Sequence, residues 1–149
     1  MLCLDKTGTL TANRLVVEAV VPLVGSEAEL RAVLGAVVAS AAVRNKTAEA
    51  IAAACPAEAR PLAADVPFSS ARKWSAVAFA DAAEGPRGTV AMGAAEYLRP
   101  SLAGMDDAGW TALRERIDGY ASRGLRVLVV AGHADATGIT GEGDAARLP

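Results

Sequence analysis

The feature that most limits the fold of this sequence is a run of three short strand-like segments in its middle. They are Leu62–Phe68, Ser75–Phe79 and Thr89–Met92. Short stretches with turn residues such as Gly85 and Gly88 separate them. Parallel neighbours need a crossover connection of about a dozen residues or more, so strands joined this closely pair antiparallel. The sequence therefore predicts a sheet that is mainly antiparallel.

Helical segments surround these strands. Ser26 and Glu29 form a capping-box pattern that begins the first helix. The predicted helices cover about 26–43, 48–54, 93–98 and 107–122, and two further strands cover 14–24 and 125–130, with a loop after Ala131. A chain of 149 residues with this mixture is expected to be α+β: a twisted, mainly antiparallel sheet with helices packed on one side of it.

Composition excludes several classes of function. The formal net charge is −2 and the basic residues are scattered, so we expect no nucleic-acid partner. No run of 18 or more apolar residues occurs, so we expect a soluble chain. Cys3, Cys55 and the single His133 lack metal-ligand spacing. Reduced thiols and a solvated loop histidine are expected instead.

The apolar residues Met1–Leu4 are typical of a buried strand in a parallel sheet. The candidate catalytic residues follow directly after this strand. An aspartate at the end of such a strand, here Asp5, lies where open sheets place ligands. A carboxylate there can attack a phosphoryl group if a cation and donors offset the charge. Lys6 and Thr7 are residues of these types. An ordinary strand followed by an Asp-initiated turn is the alternative interpretation.

The unbroken string DKTGTLT, residues 5–11, resembles the phosphorylation signature of P-type cation-transporting ATPases. The resemblance implies that Asp5 is phosphorylated from ATP and that Lys6 and Thr7 contact the transferred phosphoryl group. It also implies Mg²⁺ at Asp5 and the Thr7 backbone in the full-length parent. Residues 1–13 would then begin the phosphorylation domain, and residues 14–149 would form the nucleotide-binding domain.

The segment FSSARK, residues 68–73, resembles the F-S-x-x-R-K stretch of the family's nucleotide domain. By this resemblance Phe68 stacks on adenine and Lys73 lines the nucleotide pocket. An aromatic face beside a cation suits a purine that carries phosphates. A core phenylalanine at a strand end, followed by a solvated basic turn, explains the stretch equally well.

Three further positions resemble the family pattern. Glu49, near the start of a helix, would approach the adenine amino group, although an acid in a first helical turn is also an ordinary choice. Arg126, in a G-x-R-x-L strand, would reach toward the phosphates, with a surface charge at a strand edge as the alternative. Met92 and Gly93 stand where the family has Lys-Gly. The backbone approach is retained there and the charge is lost.

The family's later motifs T-G-D and G-D-G-x-N-D do not occur. We therefore expect this chain to bind ATP without turnover. Its partners would be the remaining phosphorylation, actuator and transmembrane domains of one parent, on the cytoplasmic side of the cell membrane. The Phe68 and Arg126 motifs favour calcium or magnesium as the cation. The stretch FSSARKW also looks like actinobacterial pumps of the CtpE type.

Two other functions remain open. One is a soluble phosphatase or phosphotransferase of the haloacid dehalogenase superfamily, which shares the aspartate nucleophile. Those enzymes carry a second acid two residues later, where this chain has Thr7. The other is an interaction domain without catalysis or a nucleotide pocket.

Overall fold

A computed structural model of the chain describes residues 1–5, 15–80, 85–102, 104–137, 139–141 and 146–148, with the backbone alone for Asp5. Six strands form one sheet within these ranges. They are β1 (Leu2–Asp5), β2 (Val16–Val20), β3 (Leu62–Val66), β4 (Trp74–Phe79), β5 (Gly88–Gly93) and β6 (Leu125–His133).

The strand order is β2-β1-β6-β5-β4-β3, and all five pairings are antiparallel. The predicted α+β class with a mainly antiparallel sheet is confirmed. The expected parallel setting of the first strand is wrong, because β1 runs antiparallel to both β2 and β6. A wholly apolar segment is typical of any strand buried on both faces, and its direction depends on its partners.

Four α-helices accompany the sheet in the described ranges: α1 (Glu27–Ser40), α2 (Lys46–Ala54), α3 (Ala95–Leu98) and α4 (Asp107–Ala121). The capping box predicted for α1 is present, since Ser26 Oγ accepts from the Glu29 N–H and the Ser26 N–H donates to Glu29 Oε2. Asn45 and Asp106 cap α2 and α4 by accepting backbone N–H groups. Local side chains thus fix where these three helices begin.

The helices lie on both faces of the sheet, which corrects the expectation of helices on one side. In β4, Trp74 and Ala76 belong to a core cluster that also contains Trp110 of α4. Val77 and Phe79 of the same strand belong to another cluster, together with Val37 of α1. Because strand side chains alternate between faces, the sheet is covered from both sides.

The last strand is longer than predicted. β6 continues to His133, where a loop was expected, and it remains paired with β5 as far as the Thr89–His133 pair. The small residues Ala131 and Gly132 are accommodated because hydrogen bonds to β5 hold their backbone. No helix in the described part of the chain combines the length and apolarity that a membrane crossing requires.

Candidate functional site

A cleft of about 740 Å³ opens between the strands and the segment that joins α1 to α2. Its wall includes five of the six predicted nucleotide-binding residues: Phe68, Lys73, Met92, Gly93 and Arg126. The remaining wall is largely apolar and comes mainly from helices α1 and α2 and from strands β4 and β6. Among the described lining residues, three side chains are cationic (Lys46, Lys73 and Arg126) and one is a carboxylate, Asp65. The cleft therefore suits a ligand with an apolar, planar part and an anionic part.

The FSSARK segment forms the turn between β3 and β4. The Lys73 N–H donates to the carbonyl oxygen of Ser69 at 2.7 Å, which closes the turn. Phe68 is 51% exposed, which is unusual for a large apolar side chain. Arg72 does not line the cleft, and its guanidinium lies 5.0 Å from the ring centre of Trp74. The turn thus presents Phe68 and Lys73 to the cleft and uses Arg72 for packing.

Lys73 adopts an unusual backbone conformation. Its φ is +59°, in the left-handed region where a residue with a side chain costs about 1–2 kcal/mol. The carbonyl of Lys73 accepts from the Ala94 N–H at 3.1 Å, which ties the turn to the end of β5. A strained lysine at the rim of a cleft is a common mark of a functional position.

Gly93 permits this close approach. A Cβ atom added there would lie 2.5 Å from the Lys73 carbonyl oxygen and 2.5 Å from the Trp74 Cβ. The glycine therefore lets two backbones touch, and its neighbour Met92 contributes a half-buried, uncharged side chain to the same wall. Arg126 is the second residue of β6, opposite Leu4 of β1, and is exposed at the cleft.

Glu49 is not brought into the cleft. It is exposed on α2, whereas Asn45, Lys46, Thr47 and Ala48 line the wall. The carboxylate that does line the cleft is Asp65 of β3, whose Oδ2 accepts from the Ala42 N–H at 2.7 Å. Sequence reasoning missed Asp65 and Lys46, and neither stands in a motif that could have indicated it.

The predicted phosphorylation segment is only partly described. Asp5 ends strand β1, where its backbone lies opposite Val16 and Leu125. Lys6 and Thr7 lie outside the described residues, as does the expected domain boundary after residue 13. No group of three or more His, Cys, Asp and Glu side chains able to hold a metal ion is found in the described ranges.

The two cysteines are free thiols in the core. Burial raises the pKa of both the Cys3 and the Cys55 thiol above the usual range, and for Cys55 the nearby Arg31 partly opposes this shift. Both are therefore protonated and weakly nucleophilic at neutral pH.

Together, these observations define an α+β domain with a cleft beside its antiparallel sheet. No protein-family profile matches the chain. Curated relatives do match. The chain is 41% identical over 135 residues to "Probable cation-transporting ATPase exp7" of Streptococcus pneumoniae, covering 88% of this chain and 15% of that protein. It is 37% identical over 150 residues to "Calcium-transporting ATPase CtpE" of Mycobacterium bovis and of Mycobacterium tuberculosis, covering 93% of this chain and 17% of each.

The chain belongs to the family of P-type cation-transporting ATPases, as the DKTGTLT string had indicated. It spans 15–17% of the length of these relatives. The resemblance to pumps of the CtpE type is also supported by the matches to two proteins of that name.

Proposed function

We propose that this chain is the ATP-binding part of a cation pump, preceded by the start of the phosphorylation domain. The observation that supports it most directly is the single cleft lined by Phe68, Lys73, Met92, Gly93 and Arg126. These residues come from three separate parts of the chain: the β3–β4 turn, strand β5 and strand β6. Residues that bind one ligand must line one cleft, as these five do.

Different residues of the cleft would bind the base and the phosphates of ATP. The exposed ring of Phe68 would offer a stacking face for adenine, and the apolar part of the wall would add contact area for the base. The ammonium of Lys73 and the guanidinium of Arg126 would pair with phosphate oxygens. Asp65 would lie toward the base, because a carboxylate beside the phosphates would repel them.

In the full-length parent, bound ATP would phosphorylate Asp5, and hydrolysis of the phospho-aspartate would be coupled to cation transport. Lys6 and Thr7 would contact the transferred group, and Mg²⁺, held by Asp5 and the Thr7 backbone, would offset its charge. The parent would be an integral membrane protein with these domains on the cytoplasmic side. The name of the CtpE relatives favours calcium over magnesium as the cation.

Titration with ATP in a calorimeter tests the proposal. We expect saturable binding by the wild-type chain, without turnover of ATP. Calorimetry is better suited than tryptophan fluorescence, since Trp74 is 6% exposed and packs with Trp110 in the core. Absence of saturation up to about 10 mM, which corresponds to binding weaker than about −3 kcal/mol, would contradict the proposal and favour an interaction domain. Turnover of a generic phosphate ester would favour the phosphatase alternative.

Two substitutions of Lys73 distinguish its effect on the stability of the fold from its contribution to ATP binding. Lys73→Gly is expected to raise the free energy of unfolding by about 0.5–1 kcal/mol, because glycine adopts positive φ freely. Lys73→Ala keeps the strain and removes the same ammonium. Both variants are expected to bind ATP about 3- to 10-fold more weakly, as measured by calorimetry beside urea unfolding. Unchanged affinity in both would exclude Lys73 from the site.

A further inference from the structure

The cleft carries a third cation that no motif assigns. Lys46 lines the cleft from the α2 side, whereas Lys73 and Arg126 approach it from the β3–β4 turn and from β6. Lys46 is exposed, so its four-carbon stem can reorient toward a ligand. Three cations on separate elements therefore surround one cleft in a chain whose net charge is −2.

The position of Lys46 is unfavourable for the stability of helix α2. It is the first residue of α2, at the positive end of the helix dipole, where acids are favoured and cations are not. The first turns of α1, α2 and α4 all carry acids, namely Glu27 and Glu29, Glu49, and Asp107, so Lys46 is the residue that departs from the rule in α2. Asn45 holds the α2 terminus in place, since its side chain accepts from the Ala48 N–H at 2.9 Å. An anionic ligand in the cleft would offset the cost of a cation at this position.

We propose that Lys46 binds the phosphate groups of the nucleotide and supplies the positive charge that Met92 does not. The inference rests on the proposed function. Met92 of β5 and Lys46 of α2 line the same cleft. Met92 is uncharged, and Lys46 provides a positive charge from the helix side of the cleft. The ammonium of Lys46 would donate to phosphate oxygens in charge-assisted hydrogen bonds.

A comparison of ATP with adenosine tests this role. Lys46→Gln is expected to weaken ATP binding about 3- to 30-fold and to leave adenosine binding unchanged, because adenosine lacks phosphates. Lys46→Arg keeps the charge and is expected to retain most of the ATP affinity. Arg44→Gln is the matched control, since Arg44 is exposed two residues away and does not line the cleft. It removes one positive charge as well and is expected to change ATP affinity by less than about 2-fold at physiological salt.

Several results would overturn the proposal. Equal ATP affinity in Lys46→Gln and wild type would exclude the contact, and so would an equal loss in Arg44→Gln, which would indicate only a long-range field. An equal loss of adenosine affinity in Lys46→Gln would mean that Lys46 supports the base or the fold. If the wild-type chain binds neither ATP nor adenosine, the proposed function fails as well. ATP binding that is weakened at Lys73 and unaffected at Lys46 would overturn this inference alone.

Discussion

Gly93→Ala is expected to lower the free energy of unfolding by about 2–3 kcal/mol, the largest effect on stability that we anticipate from a single methyl group. The added Cβ would lie 2.5 Å from the Lys73 carbonyl oxygen and 2.7 Å from the Trp74 Cα. These are backbone atoms of the paired strand β4 and of the turn before it, so no side chain can move aside. The strands would have to separate where the cleft wall is built.

Gly119→Ala is the matched control for this prediction. Gly119 lies in α4, and nothing lies within 4 Å of its added Cβ. Alanine there is expected to raise stability by about 0.5–1 kcal/mol, because it is the better helix former. Urea unfolding monitored by tryptophan fluorescence measures both variants. A Gly93→Ala variant as stable as the wild type would show that the Lys73–Gly93 contact is not close in solution.

The elements of this fold could be predicted wherever the deciding contacts are local. Ser26 and Glu29 stand three residues apart and fix the start of α1 by bonding to each other. Asp106 does the same for α4. The direction of β1 could not be read from Met1–Leu4, because an apolar run specifies burial and not the orientation of its neighbours. Nor could the continuation of β6 to His133, which depends on pairing with β5.

The same distinction between local and long-range contacts applies to the residues of the candidate site. Phe68, Lys73 and Gly93 came with recognisable motifs, and the structure brings them to one cleft. Lys46 and Asp65 did not, since they join the wall only when the segment after α1 folds onto β3. The bond from the Ala42 N–H to Asp65 links residues 23 apart in sequence and leaves no local pattern.

Glu49 shows that a motif can indicate a segment without indicating which of its residues lines the cleft. Asn45, Lys46, Thr47 and Ala48 line the wall where α2 begins, and the next residue, Glu49, does not. Ala48 is buried and lines the wall, whereas Glu49 is exposed. The resemblance pointed to the start of α2, and the packing of α2 against α1 and β2 leaves Glu49 exposed.

Phe68→Ala is expected to weaken ATP binding by about 5- to 100-fold, the largest effect on affinity among single substitutions in the cleft. Stacking of a base on an aromatic ring contributes about 1–3 kcal/mol, and Phe68 is the aromatic side chain that the described cleft wall offers. Because Phe68 is 51% exposed, stability is expected to change by less than about 1 kcal/mol. Calorimetric titration with ATP and with adenosine measures the loss, and both ligands should lose affinity equally.

Tyr97→Ala and Phe68→Trp complete the test of the stacking platform. Tyr97 is also an exposed aromatic, at 46%, and lies on α3 outside the cleft wall, so its removal is expected to leave affinity unchanged. Tryptophan at position 68 keeps a π-face and is expected to preserve binding. A loss confined to ATP in Phe68→Ala would point to the phosphates instead of the base. Retained affinity for both ligands would remove Phe68 from the site, and the cleft would have to bind its nucleotide through its cations and its apolar wall alone.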